Sequence, residues 1–307
     1  MLIDLLTTVT LPLVGIMALG YLAQRRLAFD LPTLSRLVVY VILPAALVHF
    51  LWSGDQPLAA VTVTAGVAVA QFFVLLGIGW AIGRLLRLPR GVLPVVALAA
   101  AFPNSGNYGI PLVELAFGPD FVMHQAVITS MHAILIVAVG VPLLTAGRGG
   151  YASALADVFR TPLIPAIVVG LLLKGFDVPA PAPLAVPLAV IAGALTPVAL
   201  FTLGAQLATL TYAGSRLPFT AGLVMRLAVA PLLTAAALIA LPVAPTLFEL
   251  LVITACAPVG ALLPILFAEF ATGPDAEANT ALASAMVAVS TALSPFVVTA
   301  ALVLSRL

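Results

Sequence analysis

Apolar stretches follow one another along the whole chain, each ended by a short polar or charged turn. A run of about 20 apolar residues crosses a hydrocarbon core at helical rise. Ten such spans can be placed, at 4–24, 31–52, 57–83, 91–118, 121–146, 160–176, 184–210, 217–241, 246–271 and 276–305. The longest connection, 148–159, has about a dozen residues, which leaves no room for a soluble domain between spans. The pattern predicts an all-α integral membrane protein of ten transmembrane helices, with its chemistry inside the bundle.

Polar positions break the pattern most heavily in the fourth span, which reads AAAFPNSGNYGIPLVELAFG over residues 99–118. Pro103 disrupts the helix before it and Gly106 and Gly109 relax the backbone. Pro111 suits the first residue of a new helix, where its missing N–H is no loss. The ninth span repeats the arrangement with Pro258, Gly260 and Pro264. An unwound segment at membrane depth survives only buried in protein or lining a polar cavity. The half-helices restarting at Pro111 and Pro264 are expected to aim free N–H groups and positive dipole ends at the middle of the membrane, an anion site without a formal charge.

The spacing of these breaks is matched elsewhere in the chain. At a shift of 153 to 155 residues Pro12 falls on Pro165, Pro44 on Pro197, Pro103 on Pro258, Glu114 on Glu269 and Pro142 on Pro295, and GPD at 118–120 falls on GPD at 273–275. The chain therefore reads as two five-helix repeats, 1–147 and 148–307. Because five is odd, the second copy enters the membrane from the opposite side. Inverted repeats with a discontinuous helix at matching places point to a secondary transporter whose site lies where the breaks meet.

Charge adds sidedness. Arg25, Arg26, Arg36, Arg84, Arg87, Arg90, Arg148, Arg160 and Arg216 flank the connections after spans 1, 3, 5 and 7, against Lys174 and Arg306 on the other side. The positive-inside rule puts the first group in the cytoplasm and both termini outside it. Residues 1–24 are expected to be a first membrane helix and not a signal peptide, since Arg25 and Arg26 follow the apolar run. Composition agrees: 63% of the 307 residues are hydrophobic and 7% charged, where soluble proteins have about 25% charged. A net charge of +1 with no basic stripe argues against a nucleic-acid partner. The single cysteine, Cys256, forbids an intrachain disulfide, and no cofactor or metal site is expected.

The sequence NSGNYGIPL at 104–112, of the form N-x-G-x-x-G-x-P-L, together with CAPVGALLPILFAEF at 256–270, resembles the auxin efflux carrier family of prokaryotic permeases and plant PIN proteins. More remotely the chain resembles the bile-acid sodium symporters. The resemblance implies inverted five-helix repeats in which the fourth and ninth helices cross at their prolines, the others dividing into a scaffold and a transport bundle. It implies transport of organic anions, with mono- and dicarboxylates as substrates, a homodimer, and a bacterial cytoplasmic (inner) membrane setting, since the long hydrophilic loop of many plant members is absent. The positions that match are Asn104, Gly106, Asn107 and Gly109 in the fourth helix and Pro258 in the ninth; with the adjoining Ser105, Tyr108, Val259 and Gly260 they are the substrate-binding candidates. Pro103, Pro111, Pro258 and Pro264 match as the crossover prolines. The sodium symporters carry an acidic residue at the ninth-helix break and this chain has none there, which weighs against the alternative of a sodium-coupled symporter.

Polar side chains at depth complete the candidate set. Arg226 lies near midmembrane, where a charge costs about 2.5–3.5 kcal/mol on insertion scales, and Gln71 stands at its counterpart position. Arg226 is read either as a fork for a substrate carboxylate or as a structural residue that snorkels or ties its helix to a backbone carbonyl. His132, also near midmembrane, and Glu114 and Glu269 on the restarted half-helices are coupling candidates, each with an ordinary structural reading beside it. His49 and His124 sit near the outer interface. A channel would need a continuous polar pathway, and an intramembrane enzyme a fixed constellation such as HExxH. Neither pattern is present, so no catalytic residue is assigned.

Overall fold

The computed structural model describes residues 2–56, 58–145, 162–210, 212, 214–271 and 274–305. Arg148, Arg160, Arg306 and Gly273 of the repeated GPD lie outside the described residues. The described elements are helices: α1 Ile3–Leu27, α2 Leu31–Ser53, α3 Leu58–Leu85, α4 Leu93–Ala101, α5 Ile110–Phe117, α6 Pro119–Thr145, α7 Leu163–Gly175, α8 Ala182–Leu207, α9 Arg216–Ile239, α10 Pro245–Ala255, α11 Leu263–Phe270 and α12 Ala276–Ser305. Seven of them, α1, α2, α3, α6, α8, α9 and α12, are long and apolar enough to cross a membrane, and α7 and α10 are shorter apolar helices. The chain is a multi-pass, all-helical membrane protein. Among the described residues the one β pairing is an isolated antiparallel bridge between Pro103 and Val259.

Proline shapes these helices in a regular way. Five-residue π turns occupy Leu6–Thr10, Val38–Ile42, Ser105–Gly109, Ile136–Gly140 and Met225–Val229. Each is followed, two positions beyond its last residue, by a proline: Pro12, Pro44, Pro111, Pro142 and Pro231. A helical proline lacks the N–H for the carbonyl four residues back and its ring collides with that carbonyl. Widening the turn by one residue relieves the collision. In all five turns the displaced carbonyl belongs to the central residue, and in the fourth span that residue is Asn107.

The expected restart at Pro111 is corrected by this geometry. The second half of the broken fourth span begins at Ser105 with the π turn, so Pro111 acts one turn inside the half-helix. In the ninth span the restart is at Leu263, with Pro264 in the first turn. The seventh span carries an interruption of its own at Ala194, between Gly193 and Leu195.

Two sets of helices pack among themselves. In the first, α1 lies on α8 and α7 on α2, with α8 also against α2. Gly20 and Gly204 let the α1 and α8 backbones touch: a Cβ on Gly20 would lie 2.0 Å from the Phe201 carbonyl oxygen, and one on Gly204 1.9 Å from that of Met17. Small residues at a crossing allow this approach where lipid offers no hydrophobic drive for association. On the α7–α2 contact a Cβ on Gly170 would be 3.0 Å from that of Leu51. In the second set α3 lies on α4 and α6, α9 on α4 and α10, and α11 on α12.

Candidate functional site at the crossing of the broken helices

The unwound residues of the two broken spans cross in contact. The Asn104 amide donates to the Pro258 carbonyl at 2.7 Å, and the Gly260 amide to the Phe102 carbonyl at 2.8 Å. The residues between, Pro103 and Val259, need opposite treatment. Pro103 has no N–H to satisfy, whereas the Val259 amide donates to Ser290 Oγ of α12 at 3.0 Å. Each exposed backbone group would cost several kcal/mol in hydrocarbon, and the neighbouring ones are paired as well. The Ser294 hydroxyl donates to the Cys256 carbonyl at 2.8 Å, Gln125 Nε2 to the Ser105 carbonyl at 2.7 Å, and the Gly109 amide to the Asn104 carbonyl at 3.0 Å. Close approach explains two glycines: a Cβ on Gly260 would meet the Phe102 ring at 2.4 Å, and one on Gly109 would meet Gln125 Nε2 at 2.3 Å.

Arg226, on the π turn of α9, is fully buried and spends its fork on the same crossing. Nη1 donates to the Ala100 carbonyl at 2.8 Å and Nη2 to the Ala255 carbonyl at 2.6 Å. These carbonyls close α4 and α10, so the guanidinium sits between two negative helix ends of about half a charge each. Its charge is thereby offset within the protein, leaving Nε without a partner. Gln71 does not share this position; its Nε2 donates to Thr234 Oγ1 of α9 at 2.7 Å. His132 is buried with neither ring nitrogen paired, and rests edge-on against Phe102 at 6.4 Å between ring centroids.

From 101 to 113 every residue is buried except Asn107, which is partly exposed. It lines a chamber of about 30 Å³ together with Ser35, Thr202, Gln206 and apolar residues of α2, α8 and α11. The chamber shares Ser35, Leu203, Gln206 and Leu262 with a cavity of about 890 Å³ between the two helix sets, whose walls include Ser284 and Thr291. That cavity also touches Arg36 and Glu269, both exposed. The other side of the crossing is packed: Leu112 lies in a cluster with Leu5, Val9, Leu200 and Leu302. There the Thr196 hydroxyl, beside the interruption in α8, donates to the Glu114 carboxylate on α5.

Of the remaining candidates, Asn104 and Ser105 are buried, Asn104 Nδ2 being unpaired, and Tyr108 is fully enclosed with its hydroxyl unpaired. A Cβ on Gly106 would touch Leu43 at 3.1 Å. His124 Nδ1 pairs with the Thr64 hydroxyl at 2.8 Å, and His49 Nδ1 has no partner. The sequence candidates did not include Gln125, Gln206, Ser290 or Ser294. Ser290 and Ser294 carried a signal, since a spacing of four puts both hydroxyls on one face of a helix. Gln125 carried none beyond being polar in an apolar span. The sequence model of the membrane transport protein family matches residues 5–155, which include the fourth-span break. No curated protein matches the chain.

Proposed function

Residues 5–155 belong to the membrane transport protein family, that of the auxin efflux carriers, and on that premise we propose that the chain is a permease carrying small organic anions, mono- or dicarboxylates, by alternating access. The observation that carries the reading is the backbone bridge of two broken helices beside a cavity that reaches it from one side. A channel would need a through pathway, and the packed Leu112 cluster opposes one.

The inverted-repeat reading, ten helices in two copies, draws support from the crossing itself. Val259 stands 156 positions after Pro103, and the same shift exchanges the two hydrogen bonds of the bridge. The two carbonyls on Arg226 are 155 apart. The α1–α8 and α7–α2 contacts have the relation that two inverted copies would give.

Recognition needs no formal charge. The π turn opens a half-helix whose first amides, at Gly106, Asn107 and Tyr108, have no intrahelical acceptor, and α11 aims a second positive end toward the crossing. Asn107, partly exposed at the chamber, is the substrate contact, and Asn104 holds the crossing backbone. The cavity takes in Arg36 of the arginine-rich side, so by the positive-inside rule this conformation is open to the cytoplasm and the termini lie outside it. The setting is a bacterial inner membrane.

Counterflow in proteoliposomes tests the reading, using labelled acetate, pyruvate, malonate, malate, benzoate and indole-3-acetate. Saturable exchange of at least one is expected. A fixed conductance with no exchange across the panel would overturn it. Imposed proton and sodium gradients then identify the coupling ion.

A further inference from the structure

The sequence candidates lie on the broken helices and on α3, α6 and α9, yet the chamber at Asn107 has its other wall on α2 and α8. Its polar members there are Ser35, Thr202 and Gln206. Thr202 is committed, its hydroxyl donating to the Val198 carbonyl of its own helix at 2.7 Å. Gln206 Nε2 donates to Ser35 Oγ at 3.1 Å, which leaves Ser35 with its hydroxyl proton and Gln206 with its second N–H. Three neutral donor groups, Ser35, Gln206 and the Asn107 amide, thus border one small space whose remaining wall, apart from Thr202, is apolar and includes Val38, Leu203 and Ile265. About 10–15 Å³ of such space holds one water-sized atom, so the chamber's 30 Å³ holds about two. A carboxylate presents two oxygens that only accept hydrogen bonds.

We propose that Ser35 and Gln206, bordering the chamber opposite Asn107, form the second half of a carboxylate subsite, so that a bound anion bridges α2 and α8 to the crossing. This rests on the permease reading above and extends it to residues on the other helix set. The bridge has a mechanical consequence. Half the subsite belongs to the first helix set and half to the second, so a bound carboxylate ties together the two bodies that alternating access moves past one another. The Ser35–Gln206 hydrogen bond holds both donors in register while the site is empty.

Three variants test the subsite, with the probe being the carboxylate of the panel that the wild-type protein exchanges fastest. Gln206→Leu is expected to raise KM about tenfold or more, with the maximal rate within about twofold, as loss of a hydrogen bond to a charged group implies. Ser35→Ala is expected to raise KM by about three- to tenfold. Gln206→Glu sets a carboxylate against a carboxylate, so exchange is lost at about pH 7.5. It recovers toward about pH 5 relative to wild type at the same pH, because the protonated acid can again donate. A residue that only supports the fold would lower the amount of folded protein and would not give that pH signature. Unchanged KM in all three variants, the outcome if the chamber holds water alone, overturns the subsite and leaves the permease reading standing. Absence of wild-type exchange across the panel overturns both.

Discussion

At the scale of single residues the crossing is a problem of satisfying backbone groups in a place without water. Ser290 is the clearest instance, because the Val259 amide has no other acceptor on the bridge. Ser290→Ala should destabilise the protein by about 1–3 kcal/mol, the cost of an orphaned buried donor, read as a lower melting temperature in detergent. Arg226 is a larger case, since Arg226→Lys cannot supply a planar fork to two carbonyls on different helices. Its variant should melt lower by more than Ser290→Ala does. Asn107 belongs to another class, being the one partly exposed residue from 101 to 113. Asn107→Ala is expected to abolish counterflow while membrane insertion and melting temperature stay close to wild type.

Whole helices show what proline does in a membrane. The prolines were legible as breaks, but the form of the break was not: five of them widen the preceding turn, four inside a continuous helix and the fifth, Pro111, in a half-helix that restarts at Ser105 after three unwound residues. Each π turn adds one residue to its turn, which rotates whatever it carries, and in α9 it carries Arg226. Pro231→Ala returns a donor to the Leu227 carbonyl and removes the reason for the wide turn. Transport should fall through misplacement of Arg226, and the melting temperature should fall with it as the fork loses the Ala100 and Ala255 carbonyls. On α8 the opposite sensitivity holds. Gly204→Leu drives a side chain into the Met17 carbonyl, and loss of the folded peak in gel filtration is expected.

Across the molecule, the two helix sets meet at the cavity on one side and at the Glu114–Thr196 contact and the Leu112 cluster on the other. Cys256, the single cysteine, is fully buried, so the wild-type protein offers a silent background for labelling. Ser284→Cys, on the cavity wall, is expected to react with a membrane-impermeant maleimide applied from the cytoplasmic side and not from the other. An exchanged carboxylate should slow that reaction. Equal labelling from both sides would speak for an open pore.

The class of protein and the places where its helices break are written in the order of residues alone. Apolar run length and the scarcity of charge leave lipid as the only solvent, and proline and glycine act on the backbone locally, wherever the helix ends up. The match of prolines at a shift of 153 to 155 residues was likewise legible, because it needs only the chain compared with itself. What those breaks touch is set by how the helices pack. That Asn104 bonds to Pro258, that Arg226 closes two helix ends, and that Ser35 and Gln206 share a chamber with Asn107 all depend on groups up to 171 residues apart. No local pattern encodes such a meeting, since a hydrogen bond is chosen by which acceptors packing brings within reach, and packing is a property of all the helices together.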